Sequence, residues 1–220
     1  PGVSAPFKAF LIEEDPQRRV SSRMASMERE ALDPGEVLVR VCYSSINFKD
    51  ALAATGKGRI IRRFPCVGGI DLSGVVVESS DPRFAPGDPV LATSFDIGVS
   101  HHGGYAECAR LPAAWVLPLP AGLSLLDAMA LGTAGLTAGL AIVRMEHDGL
   151  RPENGPVLVT GATGGVGGLA VDMLAGLGYE VVALTGKAEQ SAYLKELGAA
   201  EVKLRASIDT CAASFVTDPD

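Results

Sequence analysis

The chain has 220 residues, 47% of them hydrophobic, and 19 Lys and Arg against 26 Asp and Glu give a formal net charge of −7. This composition is typical of a globular protein with one large or two small domains. Because no basic block interrupts the acidic balance, we expect neither a nucleic acid nor an anionic membrane surface as a partner. No charged-then-apolar leader precedes Phe7, so the expected compartment is the cytoplasm.

Two further features bear on membrane and metal binding. The uncharged apolar run of residues 128–143 is shorter than the roughly 20 residues that cross a bilayer, and it predicts a core helix. The four cysteines include no Cys-x-x-Cys pair and no His spaced as in a zinc ligand set. We therefore expect no metal site and interpret the cysteines as free thiols, which are Cys42, Cys66, Cys108 and Cys211.

The first half of the chain has the pattern of short strands joined by turns. Apolar residues alternate over Glu36 to Tyr43, a Val run covers Gly74 to Glu78, and Gly87 to Thr93 follows a Pro-Gly turn. These segments predict an antiparallel barrel or sandwich. Asn47 to Ala54 predicts one or two helical turns, and the basic run from Thr55 to Pro65 predicts an exposed loop of the kind that roofs a pocket.

The second half alternates helices with strands. Ser124 is an N-cap candidate three residues before Asp127, and an apolar helix is predicted from there to about Arg144. The later elements are Pro156 to Thr160, Gly165 to Leu177, Tyr179 to Thr185, Ala188 to Leu197 and Glu201 to Leu204. This order predicts a parallel sheet. We predict one domain over residues 6–127, a second over 128–205 and an irregular tail over 206–220.

The segment Val157-Leu-Val-Thr-Gly-Ala-Thr-Gly-Gly-Val-Gly167 is a buried strand that leads into a Gly-rich turn and then a helix. In this context a dinucleotide fingerprint is credible, with Ala162, Gly164 and Gly167 in its three small-residue slots. Gly164 would let the backbone approach a pyrophosphate, and Gly167 would let strand and helix pack closely. The alternative is a tight strand-to-helix turn that binds no ligand.

The end of the next strand bears on the choice of cofactor. An NAD site usually has Asp or Glu about 20 residues beyond the fingerprint, whereas this chain reads Ala183-Leu-Thr-Gly-Lys187. Thr185 and Lys187 are donors suited to a ribose 2′-phosphate. The sequence therefore favours NADP over NAD, with a merely solvated Lys187 as the alternative.

Several motifs together indicate a known family. They are Ser44-Ser-Ile-Asn-Phe-Lys-Asp-Ala-Leu-Ala-Ala-Thr-Gly-Lys-Gly58, Phe64-Pro-Cys-Val-Gly-Gly-Ile-Asp71, Asp81-Pro-Arg-Phe84, His101-His-Gly-Gly104, Leu131-Gly-Thr-Ala-Gly-Leu-Thr137 and Thr160 to Gly167. On these residues the chain resembles the zinc-free medium-chain dehydrogenase/reductase family, and within it the acrylyl-CoA reductase and YhdH-type quinone oxidoreductase branch.

The resemblance implies an α/β protein with an N-terminal GroES-like β-barrel domain and a partial Rossmann domain. It also implies NADPH-dependent reduction of an activated C=C bond in a 2-enoyl thioester, with a quinone as the alternative substrate. The implied cofactor-binding residues are Phe48, Thr163, Gly164, Gly165, Val166, Gly167, Thr185, Gly186, Lys187 and Arg205. Asn47 and Thr133 are implied for the substrate pocket, and no catalytic acid is assigned.

Some positions depart from the family pattern. Phe48 stands where relatives commonly have Tyr, Gly68 where they have Pro, and His102 where they have Trp. A Tyr hydroxyl for proton transfer is therefore lacking at residue 48. His101 and His102 are candidates either for a proton role or for plain loop histidines.

The chain supplies the first three strands of a doubly wound sheet of order 3-2-1-4-5-6 and no recognisable continuation, so we expect a C-terminally truncated form. The partner implied is a small-molecule substrate, and a homo-oligomer is left open. The competing hypothesis is a non-catalytic nucleotide-binding or interaction protein that pairs through its open sheet edge.

Overall fold

The computed structural model describes residues 6–207. The described residues up to Thr133 form one compact unit, and those from Ala134 onward form a second. The first unit is almost entirely β-structure, the second alternates β and α, and a helix runs through the division. The domain limits expected from the sequence stay a prediction.

The first unit has eight strands and one full helix, α1. They are β1 (Phe7–Glu14), β2 (Val20–Met27), β3 (Val37–Tyr43), α1 (Phe48–Thr55), β4 (Cys66–Val67), β5 (Asp71–Ser79), β6 (Pro89–Thr93), β7 (Cys108–Leu111) and β8 (Leu117–Pro118). One sheet has the order β2-β1-β4 and the other the order β7-β3-β5-β6-β8. Every pairing in both sheets is antiparallel, which confirms the predicted antiparallel architecture.

The core of this unit lies under the alternating apolar residues of β3 and β5. Val37, Val39, Leu72 and Val76 are at most 2% exposed and pack in one cluster. Burying side chains of this size stabilises a fold by roughly 1.5 to 3 kcal/mol each. The sequence pattern did not predict the β1–β2 hairpin, because β2 is half polar and becomes a strand through its pairing with β1.

Helix α2 (Leu125–His147) begins after an N-cap that the sequence predicted. The Ser124 hydroxyl accepts the backbone N–H of Asp127 at 3.1 Å and donates to that carboxylate at 2.6 Å. The helix is interrupted at Gly132, whose backbone is non-helical. The interruption matters for the candidate site described below.

Among the described residues, α2 is also the one helix long and apolar enough to cross a membrane by length and composition. Its beginning is tied to the first unit by the Ser73 hydroxyl, which donates to the Leu125 carbonyl. Farther along, Ile142 is 3% exposed in the core of the second unit. We therefore interpret α2 as a core helix, as the sequence analysis expected.

The second unit consists of a parallel sheet and two further helices. Its elements are β9 (Val157–Thr160), α3 (Gly165–Gly176), β10 (Val181–Thr185), α4 (Ser191–Glu196) and β11 (Glu201–Leu204). The strands have the order β11-β10-β9, and β10 pairs in parallel with both neighbours. This confirms the predicted parallel sheet, in the order 3-2-1 of a doubly wound half. Val171, Leu174, Val181 and Leu194 form its buried core.

The cysteines within residues 6–207 are free. Burial raises the pKa of the Cys66 thiol to about 12 and that of Cys108 to about 11, so both behave as small hydrophobic residues. Cys42 is half-buried, and Cys211 lies outside the described residues. The same part of the chain contains no group of three or more His, Cys, Asp or Glu arranged to hold a metal ion.

Candidate functional site

The turn between β9 and α3 is a tight backbone loop built around small residues. Gly161 has φ +61°, a conformation that favours glycine, and the buried Ala162 follows it. Ala162, which the sequence analysis placed in the first slot of the fingerprint, directly follows this left-handed glycine.

The third slot of the fingerprint brings strand and helix into close contact. A Cβ on Gly167 would lie 2.3 Å from the carbonyl oxygen of Gly161 and 2.8 Å from the Cα of Ala162, so only glycine fits there. This confirms the close packing of strand and helix that the sequence analysis expected at Gly167. Gly164 is more open, since its nearest neighbour would be the Gly161 oxygen at 3.2 Å.

The beginning of α3 offers unpaired backbone donors to a ligand. Gly164 is the N-cap, and the first intrahelical bond runs from the Gly168 N–H to the Gly164 carbonyl at 2.8 Å. The N–H groups of Gly165, Val166 and Gly167 therefore precede any helical acceptor. Together with the positive end of the helix dipole, they suit a pyrophosphate.

The end of β10 positions Lys187. The Thr185 side chain is 3% exposed, and its hydroxyl oxygen accepts the Lys187 N–H at 3.0 Å. The Thr163 and Thr185 hydroxyls lie 3.3 Å apart, so two predicted cofactor-binding residues meet here. Lys187 itself is exposed. Thr185 thus holds the Lys187 backbone, and direct donation from Thr185 to a phosphate stays a prediction.

Arg205, just after β11, lies next to the same turn. Its guanidinium faces Gly186 so closely that a Cβ there would lie 3.5 Å from the Arg205 Nη2. The two residues line a small cavity of about 230 Å³ at the ends of β10 and β11. The structure therefore brings Gly186 and Arg205 together, as expected of neighbours in a cofactor site.

The outer edge of β9 is unpaired within residues 6–207. Leu158 on this strand is 54% exposed and Val166 at the start of α3 is 43% exposed. Both line an apolar cavity of about 530 Å³ that also includes Ile142 and Met145 of α2. In a doubly wound sheet, strand 4 would pair with this edge.

In the first unit, one carboxylate gathers the two predicted substrate-pocket residues. Asp71 is fully buried, and its Oδ2 accepts the Asn47 side-chain amide at 2.8 Å. The same oxygen accepts the Ser45 hydroxyl and the Thr133 N–H, and Oδ1 accepts the Thr133 hydroxyl at 2.5 Å. The sequence analysis quoted Asp71 within a motif but assigned it no role. Its one signal was a charged residue at the start of an apolar strand.

The break in α2 makes this arrangement possible. Gly132 has φ +50° and ψ −154°, and a Cβ there would come within 2.8 Å of Asp71 Oδ2 and 2.9 Å of Ser45 Oγ. The next residue, Thr133, can then donate its N–H to the carboxylate and begin the second helical segment. A side chain at position 132 would displace the Asp71 carboxylate that Thr133 binds.

Phe48 and Asn47 lie at the start of α1. The Asp50 carboxylate caps the helix by accepting the Asn47 backbone N–H at 2.8 Å and is itself 4% exposed. The Phe48 ring, in contrast, is 80% exposed. The structure therefore leaves the ring accessible to a ligand, while the Asn47 amide is held by Asp71.

His101 and His102 belong to a separate buried cluster around Asp33. The Asp33 carboxylate accepts the His102 N–H at 2.6 Å and Arg63 Nη2 at 2.5 Å. His102 Nδ1 accepts the Val67 N–H at 3.0 Å, so this nitrogen carries no proton. Burial lowers the pKa of His102, with Asp33 opposing the shift. These contacts favour the interpretation as structural histidines.

Comparison with known proteins adds to this geometry. Residues 33–121 match the alcohol dehydrogenase GroES-like domain. The chain is 51% identical over 206 residues to YhfP of Bacillus subtilis, which carries a quinone oxidoreductase designation, and this match covers 94% of the chain and 62% of YhfP. It is 45% identical over 204 residues to the acrylyl-CoA reductase AcuI of Ruegeria pomeroyi, covering 92% of the chain and 62% of AcuI.

Two solved structures are similar throughout the matched region. The yhdH oxidoreductase of Salmonella enterica in complex with NADP superposes with a TM-score of 0.89 at 46% identity, covering 92% of this chain and 62% of that chain. Bacillus subtilis yhfP with NAD bound gives a TM-score of 0.89 at 52% identity, covering 92% of this chain and 61% of that chain. The chain thus spans about three fifths of the length of these relatives.

Proposed function

We propose that this chain is a member of the zinc-free medium-chain dehydrogenase/reductase family, in its acrylyl-CoA reductase and quinone oxidoreductase branch, and that the protein reduces an activated C=C bond with NADPH. The substrate class proposed is a 2-enoyl thioester of the acrylyl-CoA type, and a quinone is the alternative. The observation that carries the proposal is the glycine cradle at β9 and α3, where Gly167 excludes any side chain.

The residues present fit a nicotinamide dinucleotide. The N–H groups of Gly165 and Val166 are free to hold the pyrophosphate, and the exposed Lys187 ammonium suits a 2′-phosphate. Arg205 would cover the adenosine end beside Gly186. When bound, the cofactor would supply the hydride that reduces the β-carbon of the enoyl group.

The cofactor preference is a finer part of the proposal. One similar structure holds NADP and another holds NAD, so the relatives alone support a nicotinamide cofactor of either kind. NADP is favoured here because residues 183–187 contain no carboxylate to accept from a ribose 2′-OH. Lys187 is held in place instead by the buried Thr185 hydroxyl.

The substrate end of the proposal rests on the Asp71 network of the first unit. The carboxylate fixes the Asn47 amide and the Thr133 hydroxyl, and so preorganises the predicted substrate-pocket residues. Reduction leaves an enolate that must take up a proton. Phe48 has no hydroxyl to provide it, and we assign no residue to this step.

The direct test is oxidation of NADPH followed by absorbance, with acryloyl-CoA and a simple quinone assayed in parallel. The acrylyl-CoA reductase AcuI of Ruegeria pomeroyi provides the positive control for the thioester assay. We expect turnover with the thioester, while turnover with the quinone alone would replace the primary substrate class by the alternative. A fluorescence titration with NADPH measures binding independently of turnover. Absence of both binding and turnover contradicts the proposal.

A second candidate is a protein that pairs with another chain through the open edge of β9. The 54% exposure of Leu158 beside this edge favours it. A stable oligomer that binds no cofactor and shows no turnover would support this reading. An active species of any size supports the reductase instead. A homo-oligomeric state and a cytoplasmic location stay predictions.

A further inference from the structure

A cavity of about 440 Å³ in the first unit lies between the tip of the β1–β2 hairpin and the loop that follows α1. Its charged lining residues are Arg18, Arg59 and Arg62 against the single carboxylate of Glu14, a net charge of +2. The whole chain carries −7. The cavity is therefore a local concentration of guanidinium groups in an acidic protein.

The hairpin turn directs Arg18 to this place. The Asp15 carboxylate accepts the backbone N–H groups of Gln17 and Arg19, each at 2.9 Å, and also binds the Arg19 side chain. Within this turn Arg18 takes a left-handed backbone with φ +62°, uncommon for a residue other than glycine. Arg19 is thus occupied with Asp15, whereas Arg18 faces the cavity.

The loop that supplies the other arginines is anchored to the hairpin by a small core. Ile12, Ala53 and Ile61 are buried in one cluster, and Val20 and Phe64 pack against it. The Arg62 N–H also donates to the Val99 carbonyl at 2.9 Å. The backbone that carries the guanidinium groups is therefore held in place.

The positive charges of the cavity arginines are scarcely neutralised by nearby carboxylates. Within residues 6–207 no ion pair involves Arg18 or Arg59, and Arg62 has only a long contact of 3.5 Å to an exposed Asp96. Arg63, by contrast, is paired with Asp33 at 2.5 Å. Guanidinium groups with free donors match phosphate oxygens well, because a planar fork can bind two oxygens at once.

We propose that this cavity binds the phosphate-bearing nucleotide end of a coenzyme A thioester. This inference rests on the proposed function and narrows its substrate class. Phe48 opens α1, and Ala53 near its end lines the cavity. The eight-residue helix is about 12 Å long. A pantetheine arm is long enough to join a reacting thioester near Phe48 to phosphates in the cavity.

The first test measures binding of adenosine 3′,5′-bisphosphate to the protein by calorimetry, without any turnover and with saturating NADPH in the proposed adenosine site beside Arg205. The variant replaces two exposed cavity residues, Arg18→Ala with Arg59→Ala. We expect its Kd to rise about tenfold or more, since a charge-assisted contact contributes on that order. Circular dichroism verifies that it folds, and the single variant Arg59→Gln should show a smaller rise.

Arg23→Ala is the matched control. Glu14 and Val20 pair across the hairpin, and both line the cavity. Arg23 is three residues after Val20, and successive side chains of a strand alternate between its faces, so Arg23 lies on the face of β2 away from the cavity. The Arg23→Ala substitution should leave the Kd of the bisphosphate unchanged, and plain adenosine should not bind. Equal weakening by Arg23→Ala, binding of adenosine, or no binding of the bisphosphate at all would overturn the site. If inorganic phosphate displaced the bisphosphate and bound with the same Kd as the bisphosphate, the cavity would be a general anion site, which would also overturn the proposal.

A kinetic arm separates this inference from the proposed function. With acryloyl-CoA the double variant should raise KM about tenfold and leave kcat nearly unchanged, whereas the KM for the acryloyl thioester of N-acetylcysteamine, which has no phosphate, should not change. Normal turnover with no KM effect would overturn the site but not the function. Arginine-dependent binding of the bisphosphate without turnover of either thioester would support the site and contradict the function.

Discussion

Thr133 donates both its backbone N–H and its hydroxyl to the buried carboxylate of Asp71, at 3.0 Å and 2.5 Å. The same carboxylate binds Asn47 from the start of α1. One buried acid thus fixes the beginning of one helix and the break in another. Asp71 therefore contributes both to the stability of the fold and to the position of the predicted substrate-pocket residues Asn47 and Thr133.

Asp71→Asn should therefore destabilise the protein. An amide replaces one of two acceptor oxygens by a donor, which would face donors from Asn47 and Thr133. Because charged hydrogen bonds are lost in a buried site, we expect the free energy of unfolding to fall by about 2 kcal/mol or more. Urea unfolding measures this change. The control is Asp172→Asn, an exposed position on α3 that should change stability by less than about 0.5 kcal/mol. Equal, small effects of both substitutions would contradict a structural role for Asp71.

Gly132→Ala should be costly for two reasons. The added Cβ would meet Asp71 Oδ2 at 2.8 Å, and the backbone at φ +50° is strained for any residue with a side chain. We expect the Gly132→Ala substitution to lower the free energy of unfolding by about 1 to 3 kcal/mol. Gly139→Ala in the same helix is the matched control, because no atom lies within 4 Å of its Cβ position. That change should stabilise by about 0.5 to 1 kcal/mol, and a thermal unfolding series compares the two.

Lys187→Glu should weaken NADPH binding far more than NADH binding, because it replaces an attraction for the 2′-phosphate by a repulsion. A single charge-assisted contact is worth about one to two decades in affinity. Thr185→Ala should have a smaller effect, through loss of the bond that holds the Lys187 N–H. Fluorescence titration with both cofactors measures the ratio. An equal shift for NADPH and NADH would show that Lys187 is only a solvated surface residue.

Stability should fall as the pH decreases below about 6.5, because burial lowers the pKa of His102. With the folded-state pKa below the unfolded value, the unfolded chain takes up a proton first. The stabilisation is present above the unfolded pKa and is lost as the pH falls towards the folded pKa, at most about 1.4 kcal/mol per pH unit. Urea unfolding at pH 7.5 and 5.5 measures the effect.

His102→Asn should reduce this pH dependence, whereas the exposed His147→Gln should retain it. A second loss is expected only in stronger acid. There the pKa of Asp33, held below its usual range by the His102 N–H and nearby cations, comes into play. An unchanged slope between pH 7.5 and 5.5 in His102→Asn would assign the dependence to other groups.

The sequence by itself determined the features that depend on local pattern. The strand Glu201–Leu204, the Ser124 cap and the helix beginning at Gly165 all lie where the sequence predicted them, because capping and apolar periodicity act over a few neighbouring residues. The parallel sheet followed from the order of these elements. The glycine cradle was likewise visible as a motif, whereas the left-handed backbone of Gly161 was not.

Only the tertiary structure decided which distant residues share an environment. Asp71 and Thr133 are 62 positions apart, and nothing local in either segment indicates that they meet. Arg18 and Arg59 reach one cavity only because a polar strand, β2, pairs with β1 and turns at Asp15. Long-range pairing and burial depend on the whole chain, whereas caps, turns and periodicity depend on a few consecutive side chains.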